Sequence, residues 1–190
     1  ATKSMVSKGM GGARRAAATM RGVASGVGSL GEFLTSVRDG NDPRVIDWLT
    51  HVRQENLSAT DLTLEILKEV IPGTGSVDDE SLRNAGAEAM AQLYELYPEV
   101  DIFNLTDAQI AEVMGLTIAN EICNRIDLQL GQTYEKLKYD PLLIQERRSD
   151  IREWVGAEVR VVLEKQTTKN TEPKSLAQSI LLSALEVFTE

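Results

Sequence analysis

Along most of the chain apolar residues recur every three or four positions, the spacing that gathers them on one face of an α-helix. The first series, Met20, Val23, Val27, Leu30, Leu34 and Val37, predicts a helix over about residues 12–38. Asp39-Gly40-Asn41-Asp42-Pro43 breaks it, with Asp42 as N-cap and Pro43 as first residue of a short helix carrying Val45, Trp48, Leu49 and Val52. Ser58 caps a third helix, which Pro72 stops after Ile71. Beyond the Gly73-Thr74-Gly75 turn, Ser76 opens a helix whose buried face is Leu82, Ala85, Ala89, Leu93 and Leu96, ending at Pro98. Thr106 and Gln109 form a capping box ahead of Ile110, Met114, Ile118, Ile122, Ile126 and Leu130, a long helix with Gly131 as break or stop. Asp140-Pro141 opens another, with Ile144, Ile151, Val155 and Val162 on one face; residues 166–171 read as a polar linker, and Leu176, Ile180, Ala184 and Val187 line a last helix. Residues 159–163 could pass locally for a strand, but an isolated strand has nothing to pair with. The expected fold is all-α, an irregular bundle of about six to seven helices.

The N-terminal helix is the unusual one. Residues 9–31 are almost entirely Gly, Ala and Ser, with Arg14, Arg15 and Arg21 among them. Ala18, Gly22 and Gly26 lie four apart beside the apolar stripe. A glycine inside a helix costs roughly 0.8–1 kcal/mol relative to alanine, so Gly22, Gly26 and Gly28 together cost about 3 kcal/mol. Close backbone approach to another element is the expected compensation. This spacing is familiar from membrane helices, but Arg21 and Glu32 argue against a span. Gly11, Gly12, Arg14, Arg15, Arg21, Gly22 and Gly26 are therefore the candidate partner or packing contacts, and Gly22→Leu is expected to clash and so weaken folding or complex formation.

Charge sharpens that picture. The 190 residues carry a net charge of -9. Residues 1–38 hold six Lys or Arg against Glu32 alone, a net +5, which leaves -14 for residues 39–190. The chain thus divides into a basic, small-residue-rich arm or helix (1–38) and an acidic helical domain (39–190). Such an arm either meets an acidic surface, its own or a partner's, or serves as a soluble extension. An acidic body argues against direct nucleic-acid binding, which needs a dense basic face. A single cysteine, Cys123, fits a reducing compartment. No apolar run approaches the ~20 residues of a membrane span, and no signal-peptide core precedes the helices; the expectation is a cytoplasmic protein.

No residue pattern calls for catalysis, a cofactor or a metal. His51 is the only histidine, placed near Trp48 on a short amphipathic helix as a structural or surface residue. Cys123, among isoleucines and beside Glu121 and Asp127, reads as a buried inert thiol. Gly73-Thr74-Gly75-Ser76 lacks the lysine of a phosphate-binding loop, and Asp78, Asp79 and Glu80 suit the first turn of a helix better than a calcium loop. Arg147, Arg148 and Arg152 are interleaved with Glu146, Asp150 and Glu153, as on a salt-bridged, solvated face.

Five stretches taken together resemble the QatB component of bacterial Qat anti-phage defence systems. They are Met10-Gly11-Gly12-Ala13-Arg14-Arg15, Gly75-Ser76-Val77-Asp78, Val100-Asp101-Ile102-Phe103-Asn104-Leu105-Thr106, Arg125-Ile126-Asp127-Leu128-Gln129-Leu130-Gly131 and Leu185-Glu186-Val187-Phe188. The resemblance implies a non-enzymatic partner protein that works beside a P-loop ATPase, a QueC-like enzyme (QatC) and a TatD-like nuclease. It further implies that the QueC-like enzyme binds this component and attaches a deazaguanine-type group to its N-terminal glycine. Members of that family begin with a glycine-headed leader, whereas this chain starts at Ala1 and has its first glycine at Gly9. The acceptor glycine is therefore expected to lie on a leader missing from this chain. The competing expectation is a homo-oligomeric structural or assembly protein using small-residue helix packing.

Overall fold

The computed structural model describes residues 18, 20–71, 73–137, 140–167 and 172–189. Among them are seven α-helices and no strand. They are α1 (Arg21–Asp39), α2 (Pro43–Glu55), α3 (Ala59–Val70), α4 (Val77–Leu96), α5 (Asp107–Leu137), α6 (Pro141–Thr167) and α7 (Pro173–Thr189), with a 3₁₀ turn at Ile102–Asn104 before α5.

Local signals set most of the boundaries. Asp42, Ser58 and Ser76 each cap a helix by accepting a hydrogen bond from a backbone amide two or three residues on. These bonds satisfy donors that a helix start leaves free. At Thr106 the reciprocal box forms: its hydroxyl accepts from the Gln109 amide at 3.2 Å, and Gln109 Oε1 accepts from the Thr106 amide at 2.9 Å. Gly40 closes α1 in the left-handed conformation, φ 61°, where a side chain would be strained.

Helices α1, α5, α6 and α7 pack around one core, α4 lies along the outer side of α5, and α3 and α2 lean on α4 and α1. The stripe Met20, Val23, Val27, Leu30 and Leu34 joins the same cluster as Ile110, Met114, Ile118, Ile122 and Ile126 of α5, Val155 of α6 and Ile180 of α7. A division at residue 38 thus marks a change of charge, while α1 itself shares the body's core. Val37, Val45 and Leu49 make a second small cluster beneath Phe33 and Trp48, whose rings meet edge to face at 5.0 Å.

Two expectations change, and a third falls partly outside the described residues. The helix read over about residues 12–38 is described only from its later part, and residues 12–17 lie outside the described residues. Gly131 does not stop α5, which runs on to Leu137. Leu96, expected on the buried face of α4, is 51% exposed. The chain turns away at Tyr97-Pro98, and Ile102 and Leu105 of the following turn enter the core in its place. The Leu130 side chain lies outside the described residues.

Candidate partner surface

Helices α1 and α5 run antiparallel, which fixes what each end of α1 meets. Gly31 faces Met114, while Arg38 hydrogen-bonds the Leu105 carbonyl at 3.3 Å and Asp107 at 2.6 Å. The C-terminal end of α1 therefore abuts the α4–α5 hairpin, and its N-terminal end points to the opposite side of the bundle.

The candidate residues along α1 divide. Gly11, Gly12, Arg14 and Arg15 lie outside the described residues. Arg21 begins α1, and its side chain lies outside the described residues too. Gly22 is exposed, and a Cβ there would meet nothing within 4 Å. The clash expected for Gly22→Leu within the chain is therefore absent, because no neighbouring helix covers that point of the face. Gly26 does pack: a Cβ would stand 2.3 Å from Leu82 Cδ2. Two further close approaches were not among the candidates. A Cβ on Gly28 would lie 2.9 Å from the Lys174 Cα, and one on Gly31 would lie 2.5 Å from Met114 Sδ and 2.9 Å from Pro173 Cβ. The signal that could have flagged them is their place on the apolar stripe itself, beside Val27 and Leu30.

Helix α7 starts against this pair. Glu172 accepts hydrogen bonds from the Ser175 side chain and from the Ser175 and Lys174 amides, which hold its carboxyl below the usual range, and the Lys174 ammonium reaches back to Glu32 at 2.9 Å. A glycine face, a capped helix start and an ion pair so lock α7 onto α1.

The acidic body has an uneven surface of its own. Between Arg83 and Arg125 there is no Lys, Arg or His, and seven acids fall in those 41 residues. Those residues comprise most of α4, the connecting turn and the first half of α5, so they fold into one hairpin. Glu121 is fully buried at its base, accepting from Ser81 Oγ at 2.7 Å and paired with Arg125 at 2.9 Å; Arg125 also reaches Asp78 at 3.2 Å. Burial pushes the Glu121 carboxyl up, against the opposing pull of Ser81 and Arg125. At the tip the arrangement differs: no ion pair among the described residues engages Glu95, Glu99, Asp101 or Glu112. This cation-free run was legible in the sequence, and a count of net charge over whole halves of the chain averages it away.

The remaining sequence candidates take structural places. His51 is exposed beside Glu55 at 3.1 Å. Cys123 is buried, and its thiol is pushed up to about 12, which keeps it protonated and unreactive. Thr74 and Ser76 hydrogen-bond Asp79 and hold it below the usual carboxylate range, as expected of a capped helix start. Arg147 pairs with Asp150, Arg148 with Asp127, and Arg152 with Asp127 and Glu88. Among the described residues no group of His, Cys, Asp and Glu could hold a metal ion, and no helix is long and apolar enough to cross a membrane.

In comparison with known proteins, residues 11–188 match a family model described as "Qat anti-phage system associated protein QatB". No curated protein and no solved structure matches the chain.

Proposed function

The chain belongs to the QatB family and is a component of a Qat anti-phage system, and we propose that it is the non-enzymatic docking component there. It binds a QueC-like enzyme of the same system in the cytoplasm and carries the group which that enzyme attaches to an N-terminal glycine. The P-loop ATPase of the system is a second partner of the assembled protein, and neither nucleic acid nor membrane is bound directly.

The family match over residues 11–188 carries this reading. The chemistry of the chain agrees with it. A stretch rich in Gly, Ala and Ser presents little steric bulk to an active site, and a folded acidic body supplies affinity and register for a tethered tail. The competing reading, a homo-oligomer assembled through small-residue helices, needs the glycine face of α1 at the surface. Gly26, Gly28 and Gly31 are instead taken up by Leu82, Lys174 and Met114 of the same chain.

The test is co-expression of the full-length protein with the QueC-like enzyme of its system. A stoichiometric complex by size exclusion and a mass increase confined to the N-terminal peptide are expected. An unchanged intact mass together with separate elution of the two proteins overturns the proposal.

A further inference from the structure

Helices α4 and α6 both pack along α5, and between them lies an open cleft of about 880 Å³. Val77, Ser81, Asn84 and Glu88 follow at steps of four, three and four, so a single stripe of α4 forms one wall. That stripe rises about 16 Å, the length of three helical turns. Leu128 of α5 and Arg148 of α6 also line the cleft. The three most exposed large apolar side chains among the described residues are Val77 at 78%, Leu142 at 72% and Leu128 at 64%. Two of them line the cleft, and the third stands at the start of α6, which forms the far wall. Apolar surface gathered in this way marks an interaction site. Neither Val77 nor Leu128 joins the core, yet each lies in a stretch through which the chain resembles its family, residues 75–78 and 125–131.

Charge says what fits. Each acid lining the cleft has an arginine: Glu80 pairs with Arg83 at 3.3 Å, Glu88 with Arg152 at 3.7 Å, and Asp127 with Arg148 at 3.4 Å and Arg152 at 3.6 Å. Just outside, Asp78 pairs with Arg125 at 3.2 Å. An incoming charge finds its counterpart taken, so the cleft suits an uncharged, apolar anchor. Position says where that anchor acts. α4 and α1 both run antiparallel to α5, hence parallel to each other, and Gly26 stands beside Leu82. Val77 therefore lies at about the level where α1 begins at Arg21. The cleft and the start of α1 share one end of the bundle.

We propose that the QueC-like enzyme grips the body at this cleft, seating an apolar side chain of a short helix or loop between Val77 and Leu128. The inference rests on the proposed function and names the surface through which that contact is made. The exposed Asn84 amide is bonded to no other described residue and answers a polar backbone group of the same segment. A grip near the root of a tethered tail shortens the span from anchor to acceptor, which raises the effective concentration of the tail at the partner's active site.

The experiment is calorimetric binding of the full-length protein to the QueC-like enzyme, read beside the mass increase at the N-terminal peptide. Val77→Asn/Leu128→Gln should weaken binding about tenfold, as loss of apolar anchors does, and leave the melting temperature unchanged because both side chains are exposed. Raising the variant about tenfold in concentration should restore the mass increase, since the acceptor is untouched. Leu182→Gln, at a 51% exposed leucine of α7, is the control and should bind as wild type does. Between about 0.1 and 1 M salt the wild-type affinity should change less than about threefold, as suits an apolar grip. If wild type binds and gains mass while the double variant binds equally well, the inference is overturned and the proposed function stands. Wild type that neither binds nor gains mass overturns both. An equal loss in Leu182→Gln or a steeper salt dependence also overturns the inference. So does a dimer of the isolated wild-type protein that the double variant dissolves, which assigns the cleft to a second copy.

Discussion

The two ends of α1 carry the same kind of residue and meet opposite surroundings. At the N-terminal end a side chain added to Gly22 would enter open space, while from Gly26 onward the glycines face Leu82, the Lys174 backbone, Met114 and Pro173 in turn. Glycine in a helix is costly wherever it sits. The structure recovers that cost only where another element closes in, over the later two-thirds of the helix. Small-residue spacing marks where a close approach is permitted, and the neighbouring elements decide where one is made.

Substitutions should separate the two ends by sign as well as size. The largest effect is expected at buried Gly31. Leucine there must displace both a methionine and the proline that starts α7, and overpacking of this kind costs about 3 kcal/mol, offset by less than 1 kcal/mol of helix propensity. Thermal unfolding of Gly31→Leu should fall by roughly 10 °C. A melt within a degree or two of wild type would show that the α1–α7 seam is slack and remove the contrast. Gly28→Ala should cost about 1 kcal/mol net in a denaturant titration, because the Lys174 Cα that a methyl would meet at 2.9 Å is backbone and yields only if α7 shifts.

Much of this was legible in the sequence. Caps at Asp42, Ser58, Ser76 and Thr106 are local chemistry, and so were read correctly. The apolar stripe of α1 and the isoleucines of α5 follow from helical period alone. Sequence reasoning failed where a partner element had to be known. Gly22 and Gly26 stand one turn apart and look equivalent until α4 places Leu82 beside only one of them. Leu96 continues the apolar face of α4 and is exposed because the chain turns away at that point. Gly131 is a helix breaker by propensity, yet α5 runs through it. The candidate partner surface fared differently: its basic residues Arg14 and Arg15 lie outside the described residues, and the acidic hairpin needed the fold to bring residues 84–124 together.

A buried ionisable group close to the Gly26 contact gives the comparison a pH handle. Ser81, next to Leu82, is held by Glu121, whose carboxyl is raised by burial. A group with a raised native pKa binds more proton in the native than in the unfolded state, so its contribution to stability falls as pH rises. The favourable contribution is complete below the ordinary glutamate value of 4.5 and is lost as pH climbs through the raised native value. Glu121→Gln removes this dependence. Its stability relative to wild type should therefore improve between pH 4.5 and 8, measured by paired denaturant titrations. A difference independent of pH would mean that Ser81 and Arg125 fully offset the burial of Glu121.

The smallest effect is the most informative. Gly22→Ala should stabilise the protein by about 0.5–1 kcal/mol, since a methyl group there meets nothing and alanine restricts the unfolded chain. Gly22→Leu should likewise fold normally, against the expectation from spacing alone. Because neither variant disturbs the body, each isolates what the N-terminal end of α1 does outside it. If Gly22→Leu melts at or above the wild-type temperature and still lowers affinity for the QueC-like enzyme tenfold, this glycine is retained for contact with a partner. Unchanged affinity in the same stable variant leaves Gly22 with a cost and no compensating contact, and counts against a role for this glycine in the proposed complex.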